Sequence, residues 1–195
     1  AKGHDFRRIT LVAAINPDSA LFSSDFRAPE RLFSLLMQAT GRAGRDAALG
    51  DKAEMWIQTF QPTHALYAAL KRHDYPAFAQ QQLQDREQAG LPPFSAQALV
   101  RAEARAQEIA QGFLESARSA AVDAQALSIT LYPAVPMSIQ RIANIERAQM
   151  LIESPSRAAL QRFLSDWQLV LHAVRQSPAG KGLIRWAIDV DPLAI

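Results

Sequence analysis

Alternation governs the second half of the chain. Ala96, Ala98, Val100 and Ala102 interleave with Gln97, Leu99, Arg101 and Glu103, the period-two signature of a strand covered on one face. Ile109, Ala110, Phe113, Ala117 and Ala120 then recur at helical spacing and predict a helix over roughly 105–122. Leu127, Ile129 and Leu131 alternate again as far as Tyr132-Pro133. A loop is expected from Ala134 to Asn144, and Ala148, Met150 and Ile152 mark a third strand. Ser154 and Pro155 predict an N-cap and first helical position, with Leu160, Phe163, Leu164, Trp167, Val170 and Val174 lining the helix that follows. Ser177-Pro178-Ala179-Gly180 turns the chain into a last strand carrying Ile184, Trp186, Ile188 and Val190. Two split βαβ units in this order predict a ferredoxin-like βαββαβ domain, an antiparallel sheet with both helices on one face.

The first half has another rhythm. Ile9-Thr10-Leu11-Val12-Ala13-Ala14-Ile15 is a short apolar run closed by Asn16-Pro17-Asp18, which predicts a strand buried on both faces of a parallel sheet. Pro29 suits a first helical turn, and Leu32, Leu35, Leu36 and Ala39 should face the sheet until Gly41 ends the helix. Ala53 to Phe60 predicts the next strand, centred on Met55-Trp56-Ile57. Strand, helix, Arg-rich turn and strand make only the closing portion of an α/β lobe, so apolar surface should lie exposed. His64 to His73 predicts a short helix with Leu66, Ala69 and Leu70 inward. Pro76 and Gly90 bracket another from Ala77 to Ala89, whose Gln80-Gln81-Gln82 run reads as a solvated face. Leu91-Pro92-Pro93-Phe94 breaks it. The division expected is 1–62 partial lobe, 63–94 helical connector and 95–195 βαββαβ domain, a fold of α/β plus α+β class.

Composition narrows the functional classes. The chain has 195 residues, enough for one or two domains with a buried core, and 49% hydrophobic with 21% charged residues is ordinary for a globular protein. A net charge of +2 means that any nucleic-acid site must draw on a local basic patch. No apolar run reaches the roughly 18 residues of a membrane span, and without a basic-then-apolar stretch among these residues secretion is not expected. Cysteine is absent, which excludes disulfides and thiolate zinc sites within these residues. His4, His64, His73 and His172 lack metal-ligand spacing, and no serine has the glycine setting of a nucleophile elbow. No Gly-Lys-Ser/Thr phosphate loop occurs.

Several groups of residues carry candidate chemistry. In Gly41-Arg42-Ala43-Gly44-Arg45 each arginine follows a glycine, and on a helical turn both would share one face and could touch a polyphosphate. Arginines after a helix also simply offset its macrodipole. The open sheet face should show Arg101, Arg147 and Arg185 beside Glu103, Glu153 and Asp189, a pattern suited to cross-strand charge pairs. Gln140 and Arg141 could meet a phosphate backbone. Arg157 and Gln161, four apart at a helix start, share one face near backbone amides that favour anions. Asp18 and Asp25 could orient arginines or cap turns.

Gln38-Ala39-Thr40-Gly41-Arg42-Ala43-Gly44-Arg45 resembles the last signature motif of RNA and DNA helicases with tandem RecA-like lobes, and Ala1-Lys2-Gly3-His4-Asp5-Phe6 resembles the motif preceding it. Asp18, Asp25-Phe26-Arg27, Glu30-Arg31, Ile57-Gln58-Thr59-Phe60, Leu91-Pro92-Pro93-Phe94, Ser154-Pro155-Ser156-Arg157 and Ile188-Asp189-Val190-Asp191-Pro192 extend the likeness over nearly the whole chain. Together they are similar to the family of primosomal replication-restart helicases, from the late motifs of the second lobe to the chain end.

The resemblance implies the C-terminal part of a RecA-like lobe ahead of the ferredoxin-like domain. It implies an ATP-dependent, 3′-to-5′ DNA helicase of the bacterial cytoplasm that restarts stalled forks and assembles the primosome. Arg42 and Arg45 would be catalytic arginine fingers, with Gln38 and Gly41 at the nucleotide. Lys2, Gly3 and Arg141 would touch DNA, although the family usually has arginines where this chain has Asn144 and Glu146. Arg157 and Gln161 would hold the acidic C-terminal tail of single-stranded-DNA-binding protein. Partners would be forked and single-stranded DNA, that protein and other primosome proteins, with no membrane. ATP and magnesium would be held by the other lobe and zinc by a cysteine-rich region, both outside this chain, so these residues alone should bind no cofactor and hydrolyse no ATP. The alternative reading is a non-catalytic nucleic-acid or protein-binding module.

Overall fold

The computed structural model describes residues 9–23, 25–41, 43, 53–121 and 128–193. They form two compact units that part between Arg86 and Glu87. In the first, β1 (Leu11–Ile15) and β2 (Glu54–Gln58) pair in parallel, with Ala13 opposite Trp56, and α1 (Ala28–Thr40) lies between them in the chain. α2 (Ala65–Lys71) and all but the last two residues of α3 (Tyr75–Gln88) complete the unit. Leu32, Phe33 and Leu36 of α1 are buried against Leu66, Tyr67, Ala69, Leu70 and Phe78, with Ala14, Met55 and Ile57 of the strands packed on this cluster. Phe33 and Phe78 stack with centroids 4.2 Å apart, and each such ring contributes about 1.5–3 kcal/mol by leaving water.

Two expectations for this unit need correction. β1 is not buried on both faces: Leu11 and Ile15 are exposed, as is Trp56 on β2. A pair of strands has neighbours on only one side and one face, so the residues that alternate away from α1 meet solvent. Helix α1 turns Leu32 and Leu36 inward as expected, but Phe33 joins them and Leu35 is 56% exposed.

The second unit is built on an antiparallel sheet of β3 (Ala96–Ala104), β4 (Thr130–Leu131), β5 (Val135–Ile142), β6 (Ile145–Ser154) and β7 (Leu183–Val190). Its order is β4-β6-β3-β7, and β5 pairs with β6 below β4. α4 (Gln107–Ser119) follows β3 and α5 (Arg157–Gln176) follows β6. Ala98, Val100 and Ala102 of β3 are fully buried with Ala148, Met150 and Ile152 of β6, against Phe113, Leu114 and Ala117 of α4 and Leu160, Phe163, Trp167 and Leu171 of α5. Alanines on β3 let both helices approach the sheet closely. Trp167 donates its indole N–H to the Ala117 carbonyl at 3.1 Å, joining the two helices.

The expected loop from Ala134 to Asn144 is instead a strand of a hairpin. Ile142 pairs with Ile145, and Ala143 (φ 48°) and Asn144 (φ 61°) between them are both left-handed, the two-residue turn that suits the twist of a hairpin. Pro136 has no N–H to donate, and the pairing with β6 is irregular between Pro136 and Arg141. Above it the edge is interrupted at Ala134, whose N–H reaches Glu115 Oε1 (2.7 Å) and whose carbonyl accepts from Gln111 (3.3 Å), so α4 satisfies what the sheet does not.

Candidate functional site

The start of α5 is capped by Ser156, whose Oγ accepts from the Ala159 N–H at 3.3 Å. Ser154, expected in that role, ends β6 and is buried. Its Oγ accepts from the Ser156 N–H at 3.2 Å and so shapes the turn into the helix. Arg157 is therefore the first helical residue, and Gln161 stands one turn further on, both exposed. The Arg157 guanidinium meets the Asp191 carboxylate as a fork, Nη1 to Oδ2 at 2.5 Å and Nη2 to Oδ1 at 3.1 Å. The Asp191 hydrogen bonds and charge raise the Arg157 pKa above its ordinary value. Asp191 lies one residue past β7 with φ 53°, and its N–H donates to the Gln97 carbonyl at 3.0 Å.

On the sheet face away from the helices the charges pair across strands. Glu103 accepts from Arg185 at 2.7 and 2.9 Å, and Arg147 stands 3.6 Å from it on the other side. The hydrogen bonds from Arg185 hold the Glu103 carboxyl below its usual range. Arg101 pairs with Asp189 at 2.9 Å, and Gln97 donates to Glu153 at 2.7 Å. Each arginine that β3, β6 and β7 contribute to this face thus has a carboxylate within reach, which makes the face a structural charge ladder.

Arg141 projects from the hairpin, its side chain 61% exposed. It donates to Asn144 Oδ1 at 2.9 Å and lies 3.4 Å from Glu146. Its charge is thus partly offset by Glu146 of the adjoining strand.

In the first unit, Gln38 is exposed on α1, and the Gly41 N–H closes the helix on the Met37 carbonyl at 3.1 Å. Arg42 and Arg45 lie outside the described residues, as do Lys2 and Gly3. Beside the end of α1, Thr40, Met55, Ile57, Leu70, Lys71 and His73 line a hollow of about 310 Å³. Asp18 is buried and accepts from Thr59 Oγ1 (2.5 Å), the Phe60 N–H (2.7 Å) and the Tyr67 hydroxyl (2.8 Å). The Thr59 hydrogen bond, joined by those of Phe60 and Tyr67, outweighs burial and lowers its pKa. Asp25 accepts from the Arg27 N–H at 2.9 Å and pairs with Arg31. Of the two aspartates, Asp25 caps a turn and orients an arginine, while Asp18 ties β1, β2 and α2 together.

Residues 87–193 match the family model of the primosomal protein N C-terminal domain. The chain belongs to that family. It is 40% identical over 193 residues to the replication restart protein PriA of Haemophilus influenzae, covering 98% of this chain and 25% of that protein. The namesakes from Synechocystis and Bacillus subtilis are each 32% identical and cover 100% and 98% of this chain. The chain spans about a quarter of the length of these relatives.

Within the primosomal protein N C-terminal domain fall Arg141, Arg157 and Gln161, whereas Gln38 and Gly41 precede it. The structure brings Arg157 and Gln161 onto one helix face and sets Arg141 on a separate hairpin. Sequence reasoning gave Asp191 no role, although the run Ile188-Asp189-Val190-Asp191-Pro192 drew attention to it. It lies 34 residues from Arg157, and no local spacing connects the two.

Proposed function

We propose that this chain is the trans-acting part of an ATP-dependent, 3′-to-5′ DNA helicase that restarts stalled replication forks and assembles the primosome. The observation that carries the reading is the similarity of nearly the whole chain to part of the replication restart proteins, with Gly41-Arg42-Ala43-Gly44-Arg45 standing in the sequence after α1 and before β2. A parallel β1-α1-β2 crossover is consistent with the closing part of a RecA-like lobe, and the sheet order of the second unit with a ferredoxin-like domain. Arg42 and Arg45 would stabilise the charge that builds on the transferring phosphoryl group, with Gln38 and Gly41 beside the nucleotide. The magnesium that accompanies ATP would be held by the other lobe. Zinc, likewise, would belong to a cysteine-rich region beyond this chain. Lys2, Gly3 and Arg141 would contact DNA, and Arg157 with Gln161 would take the acidic tail of single-stranded-DNA-binding protein.

The test is steady-state ATPase activity of the full-length protein carrying Arg42→Ala or Arg45→Ala. Turnover should fall by on the order of 10³-fold while nucleotide binding persists. Near-normal turnover in both variants would remove the arginine-finger role. The second reading, a non-catalytic binding module, draws on the self-contained core of residues 87–193 and on its exposed Arg141 and Arg157. It predicts that restoring the upstream lobe yields no DNA-dependent hydrolysis.

A further inference from the structure

The geometry points to Asp191 as a tethered competitor at Arg157: the chain's own carboxylate occupies the guanidinium fork that an acidic peptide would need, so the peptide binds by exchange. The inference rests on the reading of Arg157 and Gln161 as a peptide seat.

Three features support exchange over a fixed clasp. Both terminal nitrogens of Arg157 are engaged by the two oxygens of Asp191, at 2.5 and 3.1 Å, so an incoming carboxylate meets the fork already filled. Both side chains are in water, Arg157 65% and Asp191 44% exposed, and an ion pair in that setting opens at small cost. Asp191 is also held by its backbone rather than by its carboxylate. Its N–H bonds the Gln97 carbonyl at 3.0 Å, and the next residue, Pro192, has a fully buried side chain. The carboxylate can therefore swing away from Arg157 while β7 stays zipped to β3. Asp189, two residues earlier, offers no substitute plug because it is paired with Arg101 at 2.9 Å. A seat filled by a tethered anion discriminates among ligands. Isolated carboxylates compete poorly with a tethered one, whereas a peptide with several acids and a backbone for Gln161 displaces it.

Asp191→Asn separates competition from positioning. Asparagine tolerates the left-handed backbone at this position as aspartate does, and it removes the charge while keeping the shape. The full-length protein is titrated calorimetrically with a short synthetic peptide bearing a run of aspartates and a free C-terminal carboxylate. Asp191→Asn should tighten binding by about threefold or more, because the open fraction of the seat rises. Arg157→Ala should weaken it by about tenfold in either background. If Arg157→Ala weakens binding but Asp191→Asn leaves it unchanged or weaker, the seat stands and the competitor role is overturned, with Asp191 acting to position the arginine. If Arg157→Ala binds as well as the unaltered protein, the peptide seat falls and the competitor with it.

Discussion

The Tyr67 hydroxyl donates to Asp18 Oδ1 at 2.8 Å, across 49 residues of chain. The two sit at the crossing of three elements: Asp18 follows β1, Thr59 and Phe60 follow β2, and Tyr67 lies on α2. Three donors on one buried carboxylate make it a bracket for the first unit, and burial with the Asp18 hydrogen bond raises the Tyr67 pKa in turn. Tyr67→Phe should lower the thermal midpoint by roughly 3–6 °C, and Asp18→Asn by more, because it weakens all three bonds. Differential scanning fluorimetry checks the order, and a larger loss in Tyr67→Phe would contradict it.

Acid should loosen both units through the same kind of group. Asp18, Asp25, Glu103 and Glu115 all have lowered pKa values in the folded chain. Depressed carboxylates contribute stability that is fully present above their ordinary unfolded pKa near 4 and is lost as pH falls through the lower folded values. Thermal midpoints should therefore change little from these groups between about pH 5 and 7 and fall steeply below about pH 4. In Glu103→Gln the midpoint at neutral pH should drop and the acid slope flatten. An unchanged slope would locate the acid sensitivity elsewhere.

The second unit depends on one indole. Trp167 is 2% exposed, stacks on Phe163 with centroids 5.4 Å apart, and bonds the Ala117 carbonyl. Trp167→Ala should cost about 3–5 kcal/mol in urea unfolding of residues 87–193. Trp167→Phe, which keeps the ring and loses the N–H, should cost markedly less. Equal losses would show that the hydrogen bond outweighs the packing.

DNA binding through the hairpin should be electrostatic and modest, since Arg141 is already shared with Asn144 and Glu146. Arg141→Ala should reduce the slope of log affinity against log salt by about one and weaken all DNA sequences alike. Glu146→Gln should strengthen binding at low salt by freeing the arginine. Fluorescence anisotropy across a salt series measures both, and an unchanged slope in Arg141→Ala would place the contact elsewhere.

Much of this protein was legible in the order of its residues. Periodicity located the two helices and the inward faces of β3 and β6 in the second unit, because a buried face repeats every two or 3.6 residues whatever lies opposite. The acidic and basic residues of β3, β6 and β7 announced a charge ladder for the same reason. The family motifs pointed to the family to which the chain belongs. Tertiary structure alone decided the rest. The hairpin at Ala143-Asn144 has no glycine to advertise its left-handed turn, so 134–144 read as a loop. Whether Ser154 or Ser156 caps α5 depends on where β6 lets the chain go, and which face of β1 is covered depends on which neighbours it has. Asp18 with Tyr67, and Arg157 with Asp191, are pairs set by the meeting of distant elements. Periodicity is a property of a segment against any apolar neighbour, whereas a hydrogen bond needs two particular atoms in one place, and only the folded chain puts them there.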